Sequence, residues 1–232
     1  MDIPILFEDD AVIFVNKPSG IVVNRAESVK VDTVQDWVEK TYHIFIENRA
    51  GIVHRIDKET SGILLIAKTP AAFIELQRQF KERIIHKTYL AIVHGALVPD
   101  TGEIRAPVAR LPWNRERFGI VPGGKESVTN YKVVNHFERL KGKQSEKYSV
   151  VELYPETGRT HQIRVHLKYI NHPIVGDYLY AGRKTARDDR TWALRVMLHA
   201  WKLTCTHPGT GHMLAIEAPI PDDMSGIIHG RA

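Results

Sequence analysis

The 232-residue sequence predicts an α+β fold in which a mostly antiparallel, mixed sheet is flanked by helices and loops. Strand-like and helix-like patterns are interspersed, without the regular alternation of parallel βαβ units. No linker-like stretch interrupts the chain, so we expect a single domain over residues 1–232 with a core of about 5–220. Hydrophobic residues make up 43% and charged residues 25%, which excludes a largely disordered or fibrous chain.

Nine apolar runs of strand-like length or alternation predict the strands. In chain order they cover residues 3–7, 12–15, 21–23, 63–67, 89–93, 131–137, 148–154, 203–206 and 213–217. The first two flank the turn-forming residues 8–10, and the last two form a hairpin around 207–209. The run 63–67 is apolar throughout, which is typical of a buried strand.

Three segments carry apolar residues at helical spacing. Thr33 and Asp36 form a capping-box pattern that predicts the start of the first helix. The second helix is expected from Phe73 to Ile84 and has a basic side, and the third is expected to begin at Thr160. Residues 99–127 show no period, which predicts loops and short hairpins.

The chain is basic, and its charge is unevenly distributed. Lys and Arg outnumber Asp and Glu by 32 to 27, yet residues 1–53 hold nine acidic and five basic residues. A basic remainder favours polyanionic partners such as nucleic acid. The single cysteine, Cys205, excludes an intrachain disulfide framework, so a reducing, cytoplasmic location is expected. We find no signal peptide and no apolar run of membrane-spanning length, so we expect no membrane partner.

Three common functional motifs fail on inspection. Gly119–Lys125 has the spacing of a phosphate-binding loop, but Glu126 stands where the magnesium-binding hydroxyl belongs. His161 and His166 are five residues apart, which does not place them on one helix face, and no cysteine pair exists, so no metal site is expected. Ser61 lacks the Gly-x-Ser-x-Gly elbow of serine hydrolases.

The most informative segment is 54–62, just before the expected buried strand. It places one carboxylate, Asp57, among His54, Arg55 and Lys58. Taken alone, this pattern is better explained by a surface cluster of ion pairs. Its significance depends on the segments that accompany it.

Several segments, in the right order, together resemble the RluA-type pseudouridine synthases. They are residues 8–10, 15–20, 54–57, 60–62, 87–91, 157–166, 176–177 and 198–200. The resemblance covers roughly residues 5 to 220, and Ile56 stands where the family usually has leucine. Because the motifs begin close to Met1, the resemblance implies a catalytic domain without the small N-terminal RNA-binding domain that many relatives carry.

The resemblance implies the pseudouridine synthase fold and an isomerase that converts uridine to pseudouridine in structured ribosomal or transfer RNA. It makes Asp57 the catalytic carboxylate, either as nucleophile at C1′ or as base at C2′, and Arg164 its charge partner. It places Tyr89 against the uracil and leaves open whether Tyr89 also removes the C5 proton. The product is an isomer of the substrate, so no cofactor is expected.

The resemblance also implies a set of RNA contacts. Arg55 is expected to fill the space left by a flipped-out uridine, and Leu198 to close the pocket beneath the base. His54 and Arg159 are the other expected substrate-binding residues. Further phosphate contacts are expected at Arg78, Lys81, Arg83 and Lys87. We expect a monomer.

Two other functions remain open at this point. An RNA-binding or chaperone protein on the same fold would not need Asp57, so Asp57→Asn would leave its function intact. A nucleoside or glycoside hydrolase usually needs two carboxylates, and Glu59 is the nearest candidate for the second.

Overall fold

The computed structural model describes residues 1–27, 29–142 and 144–228 and confirms an α+β chain. The strands are β1 (Ile5–Glu8), β2 (Val12–Lys17), β3 (Ser61–Ala67), β4 (His86–His94), β5 (Thr101–Arg105), β6 (Val108–Leu111), β7 (Asn114–Ile120), β8 (Val128–Lys141), β9 (Gln144–Pro155), β10 (Leu198–Thr206) and β11 (Met213–Glu217). The helices are α1 (Val34–Tyr42), α2 (Pro70–Lys81), α3 (Gln162–Tyr169), α4 (Arg183–Asp189) and α5 (Asp222–Ile228), with a short 3-10 helix at Ile46–Asn48. Over these described ranges, no helix has the length and apolarity needed to cross a membrane.

The chain divides into two compact units. Unit 1 consists of Met1–Lys87 and Ala200–Pro219. Unit 2 consists of Thr88–His199 and the described part of Ile220–Ala232.

The sheet of unit 1 has the strand order β1-β2-β3-β10, and β11 pairs with β10. The pairings β1–β2, β2–β3 and β10–β11 are antiparallel. All seven residues of β3 are buried, as its apolar sequence predicts. They pack in a core that includes Phe14 from β2, Phe73 and Leu76 from α2, and Leu203 from β10.

The sheet of unit 2 has the strand order β4-β9-β8-β5, again with antiparallel pairings. The mostly antiparallel sheet is therefore confirmed. β6 and β7 form a separate two-stranded sheet within the region expected to hold short hairpins. Val108 of β6 and Phe118 of β7 pack with Val165 of α3 and with Tyr180, which fixes the hairpin to that helix.

Local capping defines the starts of the first two helices. The Asp36 N–H donates to Thr33 Oγ1 at 3.2 Å, and the Thr33 N–H donates to Asp36 Oδ2 at 2.8 Å, so the predicted capping box is confirmed. Thr69 caps α2 in the same way by accepting the Ala72 N–H at 3.1 Å, and Pro70 occupies the first turn of that helix.

One predicted strand and one predicted helix end were wrong. Residues 21–23 form no strand, because the carbonyl groups of Val22 and Val23 accept the first N–H groups of α1 instead of a strand partner. The helix expected to reach Ile84 ends at Lys81, because Arg83 adopts a left-handed conformation with φ of 60°.

Candidate active site

Asp57 lies on a loop of unit 1 that is tied to the end of β2 by a buried lysine. Lys17, the last residue of β2, is completely buried. Its ammonium group donates to the carbonyl oxygens of Pro18 at 2.8 Å, Ile21 at 2.9 Å and Lys58 at 3.1 Å. A buried ammonium needs such hydrogen-bond acceptors, because without them nothing offsets the free-energy cost of removing its charge from water. Lys17 therefore fixes the backbone directly after Asp57.

The turn that follows β2 fastens the same loop at two further points. The Gly20 N–H donates to the Lys58 carbonyl at 2.8 Å, and Ser19 Oγ donates to the Glu59 carbonyl at 2.7 Å. Two carbonyl groups of the loop that carries Asp57 are thus hydrogen-bonded to a second loop. Asp57 itself is half-buried and Arg55 is exposed.

Gly62 allows the loop to enter β3 against a neighbouring strand. Its φ is +109°, and a Cβ atom there would lie 2.2 Å from the carbonyl oxygen of Ala200. Any side chain would therefore displace either β10 or the loop.

His54 begins the loop and is held inside unit 1. Its Nε2 accepts the backbone N–H of Leu65 in β3 at 3.0 Å, and its ring lies 4.9 Å from the ring of Phe80. Burial, with a contribution from the positive charge of Lys87, lowers the pKa of His54 to about 3. His54 is therefore neutral at physiological pH, with its proton on Nδ1.

Arg164 is the third residue of α3 in unit 2 and pairs with Asp177. Its Nε and Nη2 donate to the two carboxylate oxygens of Asp177 at 2.7 and 2.9 Å. Arg164 is 3% exposed and Asp177 is fully buried, so this is a bidentate pair removed from water. The guanidinium also stacks over the Tyr180 ring, 5.0 Å from its centre.

Two buried side chains on α3 fix the arginine that lies between them. Gln162 donates to the Val128 carbonyl and to Thr129 Oγ1, both at 3.0 Å. His166 lies one turn further along, 3.1 Å from the Ala106 carbonyl and 3.0 Å from the same Thr129 hydroxyl. Burial lowers the pKa of His166, which keeps this ring neutral. The helix is thereby locked to β8 on both sides of Arg164.

Gly176 places Asp177 at a tight turn. Its φ is +76°, and a Cβ atom there would lie 1.9 Å from the Arg195 carbonyl oxygen. Its N–H donates to Asp189 Oδ2 at 2.9 Å. The Asp177 carboxylate in turn accepts the N–H of Tyr180 at 3.2 Å, so the turn and the ion pair support each other.

His161, Tyr180 and Phe118 connect α3 to the β6–β7 hairpin. The Phe118 N–H donates to the Tyr180 hydroxyl at 3.0 Å, and that hydroxyl lies 2.8 Å from His161 Nδ1. His161 adopts a left-handed conformation, with φ of 57°, directly before α3. This geometry ties the start of the arginine helix to the hairpin.

The other expected site residues occupy separate positions in unit 2. Tyr89 is half-buried on β4, opposite Leu153 of β9. Leu198 is buried at the start of β10. Arg159 is exposed, and its backbone N–H donates to Gln162 Oε1 at 3.1 Å.

Lys17 and Asp177 were not among the residues predicted for the site, although both lie in segments that carry the resemblance. Spacing alone did not find them, because each acts on a partner distant in the sequence. Among the expected phosphate contacts, Arg78 is paired with Glu75 of its own helix at 2.7 Å and with Glu82, the residue directly after that helix.

The chemistry available is that of a carboxylate on a fixed loop and of a buried, permanently charged guanidinium. A carboxylate can attack an electron-poor sugar carbon or remove a proton next to it. Over residues 1–27, 29–142 and 144–228, no three His, Cys, Asp or Glu side chains are grouped as a metal site would require.

Sequence comparison places these residues in a defined context. Residues 11–169 match the family model described as RNA pseudouridylate synthase. Ribosomal large subunit pseudouridine synthase D of Nitrosomonas europaea is 40% identical over 229 residues, which cover 97% of this chain and 64% of that protein. An uncharacterized RNA pseudouridine synthase of Bacillus subtilis is 40% identical over 232 residues, which cover 98% of this chain and 72% of that protein. The chain thus spans under two thirds of the first relative and nearly three quarters of the second.

Comparison with solved structures agrees with the family match. The solved structure of human RNA Pseudouridylate Synthase Domain Containing 1 superposes with a TM-score of 0.76 at 29% identity, covering 94% of this chain and 83% of that one. A second human structure, RNA Pseudouridylate Synthase Domain Containing 4, has a TM-score of 0.75 at 22% identity and supports the fold alone. The pseudouridine synthase fold predicted from the sequence is confirmed.

Proposed function

The chain belongs to the RNA pseudouridylate synthase family, and from this premise we propose that the protein isomerises uridine to pseudouridine within RNA, with Asp57 as the catalytic carboxylate. The observation that carries this proposal is the fixation of the Asp57 loop by Lys17 and Ser19. A catalytic group must be held to within a fraction of an ångström, and supporting hydrogen bonds of this kind supply that precision.

In the proposed reaction the N1–C1′ bond of the uridine breaks, the uracil turns, and C5 bonds to C1′. The proton on C5 is lost and N1 gains one, so substrate and product have the same composition. Asp57 either attacks C1′ or removes the C2′ proton, and both routes need the ionised carboxylate.

Arg164 is proposed as the positively charged member of the catalytic set, because a guanidinium stays charged at any physiological pH. Asp177 is proposed as a positioning residue: its bidentate contact fixes the plane of the guanidinium. A buried arginine with a single fixed orientation loses little entropy when it meets a reacting group.

The remaining residues are assigned to substrate handling. Tyr89 packs on the uracil, Leu198 closes the pocket beneath the base, and Arg159 contacts phosphate. Exposed Arg55, two residues before Asp57, fills the space left by the flipped base. His54, whose Nε2 is occupied by the Leu65 N–H, is assigned to positioning the loop rather than to direct contact with the uridine.

Large-subunit ribosomal RNA is the proposed substrate class. The support is the name of the 40% identical relative, a ribosomal large subunit enzyme. Transfer RNA is the alternative that the experiment must exclude.

The test uses transcripts of large-subunit ribosomal RNA and of transfer RNA that carry tritium at uridine C5. Formation of the C5–C1′ bond must expel that tritium. We expect release from ribosomal RNA by the wild type, none by Asp57→Asn, and full release by Glu59→Gln, a matched loss of one carboxylate two residues away. Release by Asp57→Asn would remove Asp57 from the mechanism. Binding without release from either RNA would favour an RNA-binding protein with dispensable catalysis.

A further inference from the structure

Helix α4 of unit 2 presents a basic face that the proposed reaction does not use. Arg183, Arg187 and Arg190 are spaced by four and three residues, so at about 100° per residue they fall within an arc of about 60°. All three are exposed, as is Lys184 beside them. Ala186 and Asp189, on another side of the helix, are buried and attach it to the unit.

Within the residues that the structure describes, these cations are unpaired, and they also run against local helix preferences. Within the described part of the chain, none of the four side chains has a carboxylate partner, unlike Arg78 on α2. Arg183 and Lys184 occupy the first turn, where the helix dipole disfavours positive charge. Arg183 and Arg187 also repel each other at the i,i+4 spacing. A sequence that breaks several local rules at one place is typical of a site that binds something.

Helix α4 is hydrogen-bonded to the turn that carries Asp177, the ion-pair partner of Arg164. Asp189, at the end of α4, is buried and accepts the Gly176 N–H at 2.9 Å. Gly176 directly precedes Asp177, which pairs with Arg164. His94 Nε2 lies 3.0 Å from the same Asp189 oxygen and holds it in place. A ligand bound on α4 is therefore anchored within one hydrogen bond of the Arg164–Asp177 pair.

We propose that the exposed face of α4, formed by Arg183, Lys184, Arg187 and Arg190, binds the sugar–phosphate backbone of the RNA substrate beside the target uridine. This inference rests on the proposed function. The three arginines span about 10 Å along the helix, which matches about three phosphates of one strand. Arginine suits this role because its planar guanidinium binds phosphate oxygens in pairs.

The test compares two triple variants, each carrying Asp57→Asn so that no turnover occurs. One is Arg183→Gln/Arg187→Gln/Arg190→Gln, which keeps helix-forming residues. The control is Lys30→Gln/Lys40→Gln/Arg49→Gln, which removes three exposed positive charges from unit 1. Binding of a fluorescein-labelled RNA hairpin with uridines in its loop is measured from about 50 to 200 mM salt.

Loss of three phosphate contacts should reduce the slope of log Kobs against log salt by about 2 to 3. Over this salt range the parent should lose about 20- to 40-fold more affinity than the α4 variant does. The control should keep the slope of the parent. An unchanged slope for the α4 variant, or an equal change in the control, would overturn the inference.

Two further measurements separate this inference from misfolding and from failure of the proposed reaction. Circular dichroism melting should show no loss of stability in the α4 variant, because repulsion between arginines has been removed. The single variant Arg187→Gln should reduce the slope by a little under 1. With Asp57 restored, a raised KM for tritium release is expected. If the wild type releases no tritium but the α4 variant still loses its salt slope, the RNA surface stands and the proposed reaction fails.

Discussion

Protonation of His54 should destabilise the protein as the pH falls, well before most carboxylates titrate. In the folded chain its Nε2 accepts the Leu65 N–H and its ring packs against Phe80. A proton on Nε2 would remove that acceptor and place a charge among apolar side chains near Lys87.

The size of the effect follows from the two pKa values of His54, 6.5 for the free side chain and about 3 in the fold. Between these values the unfolded chain binds more protons, so stability rises with pH. The stability that depends on neutral His54 is fully present above pH 6.5 and is lost as the pH falls toward 3. The loss from His54 alone is about 2 kcal/mol between pH 7.5 and pH 5, and it approaches about 5 kcal/mol below pH 3.

The assay is urea unfolding at several pH values for the wild type and for His54→Gln. Glutamine keeps an oxygen that accepts the Leu65 N–H but does not titrate. The variant should be less stable at pH 7.5 and should lose about 2 kcal/mol less than the wild type on going to pH 5. Parallel pH profiles would refute the reasoning, because the other histidines are common to both proteins.

Substitutions at Asp177, Lys17 and Gly62 test the supports of the site, with Gly20→Ala as a control for the last. Asp177→Asn removes the bidentate carboxylate partner of the buried Arg164 and should lower the free energy of unfolding by about 3 to 5 kcal/mol in urea; a loss below about 1 kcal/mol would show that this ion pair is dispensable. Lys17→Met removes the buried ammonium group that donates to three carbonyl groups, so tritium release should fall at least tenfold while RNA affinity holds; unchanged turnover would contradict its positioning role. Gly62→Ala should prevent stable folding, whereas Gly20→Ala, with open space around it, should cost about 1 to 2 kcal/mol by thermal melting; equal costs would contradict the close approach of β10.

Local signals in the sequence identified much of the fold. The capping box at Thr33 and Asp36 and the apolar run of β3 carry their meaning within a few residues, and both were confirmed. Residues 21–23 have the same apolar character as a strand, but their carbonyl groups serve α1 and Lys17. A short stretch of sequence does not show from which donor a backbone carbonyl group will accept a hydrogen bond.

For the same reason, only part of the candidate site could be predicted from the sequence. The motif around Asp57 drew attention because a carboxylate stood among cations, and the resemblance supplied Arg164 and Tyr89. The partners Lys17 and Asp177 depend on contacts over 41 and 13 residues of sequence. Helix α4 was not predicted, because its polar sequence lacks the apolar stripe by which helices are recognised.

If Asp57 catalyses the isomerisation of uridine in RNA, both tritium release and pseudouridine formation depend on its carboxylate. Purified protein is incubated with tritiated large-subunit ribosomal RNA; tritium release is counted, and the RNA is digested to nucleosides so that pseudouridine can be quantified. We expect the wild type to release one tritium for each pseudouridine formed, and Asp57→Asn to yield neither tritium nor pseudouridine. Pseudouridine formed by Asp57→Asn, or tritium released without pseudouridine, would contradict it.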